Sequence, residues 1–132
     1  MQAGRPRVGK GRAVEYQNDY ILRLIEQMGS AIRLAFQRFR EGGSTGKSID
    51  IIDYAIGLSV DMDPHLFLRL APHSMVSFLE ISNYDERLAR KLAEALLLQA
   101  DLLEADGSLL EAGVRRTQAA AVLASLDPMS AN

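Results

Sequence analysis

A chain of 132 residues, 48% hydrophobic and 24% charged, is long enough for one buried core and too apolar to remain unfolded throughout. It contains no cysteine, which excludes disulfides, cysteine-ligated zinc and a thiol nucleophile and fits a reducing, cytoplasmic setting. The net charge of −2 argues against nucleic-acid binding by the whole surface, yet it is unevenly spread: Arg5, Arg7, Lys10 and Arg12 give the first twelve residues +4, and the rest carries 11 basic and 17 acidic side chains. No apolar run reaches the ~18 residues that span a bilayer.

Residues 1–13 contain three glycines, a proline and little to bury, and are expected to form a disordered basic arm. No apolar stretch follows the basic residues, so the arm does not read as a secretory signal. A single helical domain is expected over residues 14–128, with a disordered tail at 129–132. Its first helix, residues 14–40, places Ile21, Leu24, Ile25, Met28, Ile32, Ala35, Phe36 and Phe39 on one face. Asn18 or Asp19 is a candidate N-cap, Leu22 and Leu34 widen the stripe, and Gly42-Gly43 stops the helix. A second helix, from near Ser48 to Val60, buries Ile49, Ile52, Ala55 and Ile56 and leaves Asp50 and Asp53 outside. Asp63-Pro64 is an N-cap followed by proline at N1 and starts a short helix over residues 64–70. Pro72 ends it and opens another to Ile81. Asp85 caps a helix to about Ala105, with Leu88, Leu92, Ala95, Leu96, Gln99 and Leu103 along one stripe. After an Asp106-Gly107 turn a last helix runs over residues 108–126, where Ser108 and Glu111 have capping-box spacing and Pro128 follows. No segment alternates as a strand does. The expected fold is all-α, built from antiparallel helical hairpins joined by short connections.

Two resemblances follow from these segments. Residues 92–128 resemble a tetratricopeptide-type hairpin: Ala100, Gly107, Ala112 and Ala119 stand close to the small-residue and turn positions, and Pro128 follows the second helix. The second helix is about one turn long for that repeat, and its aromatic positions carry leucine or alanine. An alanine-rich bundle hairpin explains the same residues. The string QNDYILRLIEQMGSAI, residues 17–32, resembles the opening helix of a family of small bacterial proteins of unknown function, through Asp19, Tyr20, Arg23, Ile25, Glu26 and Gln27. Those proteins join this helix to a tetratricopeptide-like C-terminal region. The resemblance implies no activity, and it implies that residues 1–13 are an extension.

Several motifs tempt a chemical reading. Gly42–Ser48, GGSTGKS, ends like a phosphate-binding loop, but Glu41 stands where the pattern needs glycine, and a helix precedes it in place of a strand. A flexible linker explains it, with a weak anion site at the next helix start as the alternative. Asp61, Asp63 and His65 could hold a metal, but capping accounts for the acids. His65 and His73, the only histidines, have no evident nucleophile or orienting partner. Arg115-Arg116 and Arg87, Arg90 and Lys91 form small basic clusters, with Glu86–Arg90 and Glu111–Arg115 at ion-pair spacing. The eight aromatic residues fall mostly at core phase. An enzyme would need polar groups that converge in a pocket between hairpins, for example Asp19, Arg23 and Glu26 with Asp50 or Asp53, and an ion pair within the helix explains the first three equally well.

No catalytic, cofactor-binding or metal-binding residue is assigned, and no cofactor is expected. The function expected is a non-enzymatic, cytoplasmic protein-interaction or self-associating scaffold module, pairing with a protein partner or as a homodimer, with no membrane. The alternative is a regulator that contacts nucleic acid through the basic arm.

Overall fold

The computed structural model describes the backbone of residues 5–127 and the side chains of residues 17–127. Six helices and no strand lie among the described residues: α1 (Arg5–Arg40), α2 (Thr45–Val60), α3 (Pro64–Phe67), α4 (Pro72–Ile81), α5 (Glu86–Ala105) and α6 (Leu109–Leu126). The all-α expectation is met. Residues 1–4, Pro128 and the tail at 129–132 lie outside the described residues. Of the arm expected at 1–13, residues 5–13 are described in their backbone alone, as the first turns of α1.

Four helix ends share one device. Gly42, Asp61, Asn83 and Gly107 adopt positive φ, of 79°, 57°, 55° and 88°. In each case the next N–H donates to a carbonyl five residues back: Gly43 to Arg38, Met62 to Gly57, Tyr84 to Leu79 and Ser108 to Leu103. This left-handed cap satisfies carbonyls that the helix leaves orphaned. Two of the four lack glycine and bear the steric cost of a Cβ there. Helix starts are equally local. Ser44 Oγ accepts from Lys47 N–H, Asp63 accepts from His65 N–H, and Asp85 accepts from Arg87 and Leu88 N–H. The capping box expected at Ser108 is not formed, for no side chain caps α6. Helix α2 begins three residues earlier than expected, because Ser44 caps it and Gly46 is taken into its first turn.

Packing runs through α5. It lies on α6, α1 and α2, while α1 packs on α2, α4 on α6 and α3 on α2. Arg116 reaches Asp101 and Glu104, and Arg115 reaches Gln99, so α5 and α6 are antiparallel neighbours. Ala100, Ala112 and Ala119 are completely buried. Small side chains at a helix contact let the backbones approach closely and leave no void. The main core joins Met28 and Ala35 of α1, Ile52 and Ile56 of α2, Phe67, Met75 of α4, Leu92 and Leu96 of α5 and Val122 of α6. Phe67 and Phe78 add an edge-to-face pair with centroids 5.7 Å apart. Each such side chain stabilises the fold by about 1.5–3 kcal/mol through burial. Gly57 permits one close approach: a Cβ there would stand 2.8 Å from Pro64 Cδ, so α3 can fold back against α2 only past a glycine.

Candidate functional site

The side of α2 that turns away from α5 carries the most exposed aromatic side chain among the described residues. Tyr54 is 70% exposed. Arg23, Glu26, Gln27 and Arg33 from α1 line a cleft of about 620 Å³ with Tyr54 and Leu58. A second cleft, of about 440 Å³, continues along the same two helices past Tyr20, Tyr54, Leu58 and Asp61. The two clefts share Arg23, Tyr54 and Leu58 and so form one groove between α1 and α2. Tyr20, Tyr54 and Leu58 are exposed large hydrophobic residues, so two tyrosines depart from the core phase that Phe39, Phe67, Phe78 and Tyr84 keep. Phe36 is a further exception. It is 47% exposed, with the Arg40 guanidinium 5.7 Å above its ring, because Ala35 and not Phe36 takes the contact at that turn. Leu22 and Leu34 are exposed as well, so α1 presents apolar surface on more than one side.

The opposite side of α2 meets a polar network. Arg115 is buried between helices and does not belong to a surface basic cluster. Its Nε donates to Gln99 Oε1 at 2.7 Å and its Nη1 to the Leu68 carbonyl at 3.2 Å and to Gln118 Oε1 at 3.3 Å. Gln118 Nε2 donates to the carbonyls of Leu68 and Leu70, both at 2.9 Å. The reason is local. The α3 helix ends at Phe67 and α4 starts at Pro72, so the joining residues carry carbonyls that no helix satisfies, and α6 supplies the donors. Gln99 Nε2 donates to Asp53 Oδ1 at 2.7 Å, so Asp53 is held inward and is not free on the outer face. The Glu111–Arg115 pair expected from spacing is long, at 3.9 Å, whereas Glu86–Arg90 is formed at 3.0 Å. Asp53, His65, Arg69, Gln99, Glu111 and Arg115 border a cleft of about 300 Å³ walled by Ile49, Leu68 and Leu103. Burial pushes the Asp53 carboxyl up, against the Gln99 hydrogen bond, and burial likewise lowers the Arg115 guanidinium.

The residues singled out by spacing are dispersed. Arg23 and Glu26 border the α1–α2 groove, while Asp53 lies across α2 with Gln99 and Arg115, so the imagined enzyme pocket does not assemble. No ion pair joins Asp19, Arg23 and Glu26 among the described residues. Lys47 of the GGSTGKS segment is exposed on the first turn of α2, and Ser48 is buried with its Oγ unpartnered, so no phosphate loop is formed. Asp61 ends α2, Asp63 caps α3, and no group of three potential metal ligands converges among the described residues. His73 stands exposed on the first turn of α4. No helix among the described residues is long and apolar enough to cross a membrane. Sequence spacing missed the network, although Gln99 in an apolar stripe is the signal that could have found it: a buried amide demands partners. Against known protein families, curated proteins and solved structures, the chain matches none.

Proposed function

We propose that this chain is a non-enzymatic helical interaction module that pairs with a second copy of itself through the α1–α2 groove. The observation that carries this reading is Tyr54, a large aromatic held outward between Tyr20 and Leu58 where two clefts join. Aromatic side chains flanked by a polar rim are the usual anchors of a protein interface. The rim favours self-pairing. Arg23 and Arg33 stand beside Glu26 and Asp61, two charges of each sign. None of these four forms an ion pair within the chain among the described residues. In a two-fold dimer each patch meets its own copy, so a surface that balances its charges is complementary to itself.

A tetratricopeptide-like character for α5 and α6 belongs to the same reading. It is supported by the buried Ala100, Ala112 and Ala119 and by the positive φ of Gly107 at the turn. Helical hairpins of that kind expose faces for partners.

The absence of cysteine from the sequence offers a direct test. Gln27→Cys, which borders both clefts and leaves Tyr54 in place, is expected to form a disulfide-linked dimer rapidly on mild oxidation, because a symmetric contact brings the two thiols together. Leu110→Cys, exposed on α6, serves as the collision control. Equal cross-linking rates for the two variants would overturn the proposal.

A further inference from the structure

The cleft on the other side of α2 holds two opposite charges that do not meet. One Gln99 amide stands between them: its oxygen accepts from Arg115 Nε and its nitrogen donates to Asp53 Oδ1, each at 2.7 Å. The amide thereby fixes both ions and prevents their direct pairing. Each is left with unused capacity. The Nε and Nη1 donors of Arg115 are engaged, but Nη2 has only Glu111 Oε2 nearby, at 3.9 Å, beyond hydrogen-bond reach. Asp53 Oδ2 accepts no hydrogen bond among the described residues.

Such an arrangement is costly for a fold that needs only to satisfy the Leu68 and Leu70 carbonyls, since Gln118 already reaches both. The buried guanidinium and the partly buried carboxylate each lose hydration, and their attraction through space is smaller than that loss. Around them Arg69 and Glu111 add one exposed charge of each sign, and His65 completes the rim. The cleft is close to neutral, so it favours neither a simple anion nor a simple cation at long range. It offers instead a separated donor pair and acceptor pair within about 300 Å³, the low end of the range for small-molecule sites.

We infer that the cleft between α2, α5 and α6 binds a small zwitterion of free amino-acid type, its carboxylate on Arg115 Nη2 and its ammonium group on Asp53. Arg69 and Glu111 flank the two ends, and Ile49, Leu68 and Leu103 give the ligand's carbon skeleton an apolar wall. Gln99 is the positioning residue that sets the spacing of the two ions. The site does not depend on the α1–α2 groove, which lies on the other side of α2.

The test is a titration of the full chain, followed by nuclear magnetic resonance of the Gln99 side-chain amide and the Arg115 Nε–H. Each of the common L-amino acids is added singly, with acetate and methylammonium as single-charge probes. At least one amino acid is expected to shift both resonances saturably at millimolar concentration or below, while neither single-charge probe does so. Arg69→Ala, an exposed change, and Asp53→Asn, which keeps an acceptor for Gln99, are each expected to weaken that binding at least tenfold. Tyr54→Lys is expected to leave it unchanged. The inference is overturned if no amino acid gives a saturable shift, if acetate alone shifts the resonances as well, or if Asp53→Asn binds as the parent chain does.

Discussion

The two long hairpins of this molecule differ in what they cover. In α5–α6 the contact is made by alanines, the helices come close, and the polar groups between them are paired through Arg115, Gln99 and Gln118. In α1–α2 the contact uses Met28, Ala35, Ile52 and Ile56, and large side chains are left over outside it: Tyr20, Leu22, Leu34, Phe36, Tyr54 and Leu58. The α5–α6 pair also leaves apolar side chains outside its contact, Leu97, Leu109, Leu110, Val114 and Leu123, but all are aliphatic, whereas the surplus of α1–α2 includes the aromatic Tyr20, Phe36 and Tyr54. The α5–α6 contact is the closer fit of the two, and the exposed surface of α1–α2 is the aromatic one.

That contrast can be broken by substitution. Arg115→Met should cost the most, about 3 kcal/mol, because it leaves the Gln99 and Gln118 amide oxygens without their donor in a buried place. Ala119→Leu should cost about 1–3 kcal/mol by overpacking a site with no exposed area, and Gly57→Ala should cost a similar amount, since its Cβ meets Pro64. Both are read as the shift in midpoint of chemical unfolding. Asn83→Gly and Asp61→Gly should act in the other direction, each stabilising by about 0.5–1 kcal/mol through relief of positive φ. Tyr54→Lys should have the smallest effect on stability, within about 0.5 kcal/mol, as befits an exposed side chain.

Acidity sharpens the same comparison. Burial raises the Asp53 carboxyl, so the folded chain holds that proton more tightly than the unfolded chain. Its contribution to stability therefore improves as pH falls through the folded value and is unfavourable above it. Asp53→Asn should melt above the parent chain at neutral pH, and the difference should fade below the ordinary carboxylate value of 3.8. Asp85 has the opposite sign. The Arg87 side chain and two backbone N–H groups lower it, so its contribution is present above the ordinary carboxylate range and is lost as pH falls through the folded value.

Much of the fold was legible because its signals are local. Pro72 and Ile81 bound α4 as expected, Asp85 caps α5, and glycine marks the ends at Gly42 and Gly107. Nonlocal facts were not legible. Phe36 and Ala35 lie next to each other on an apolar stripe, and only the position of the neighbouring helices decides which is buried. Arg115 has a suitable acid four residues before it, and that local pair hid the stronger partners on α5 and in the α3–α4 connection. Asp53 read as solvent-facing because its hydrogen-bond donor is 46 residues away.

The most direct test of the central claim is the solution mass of the full chain by light scattering, beside that of Tyr54→Lys, with the melting of each followed in parallel. Self-pairing through the α1–α2 groove predicts a dimer for the parent chain and a monomer for the variant, with unchanged melting of the helical body. A monomer in both, or a dimer in both, would contradict it.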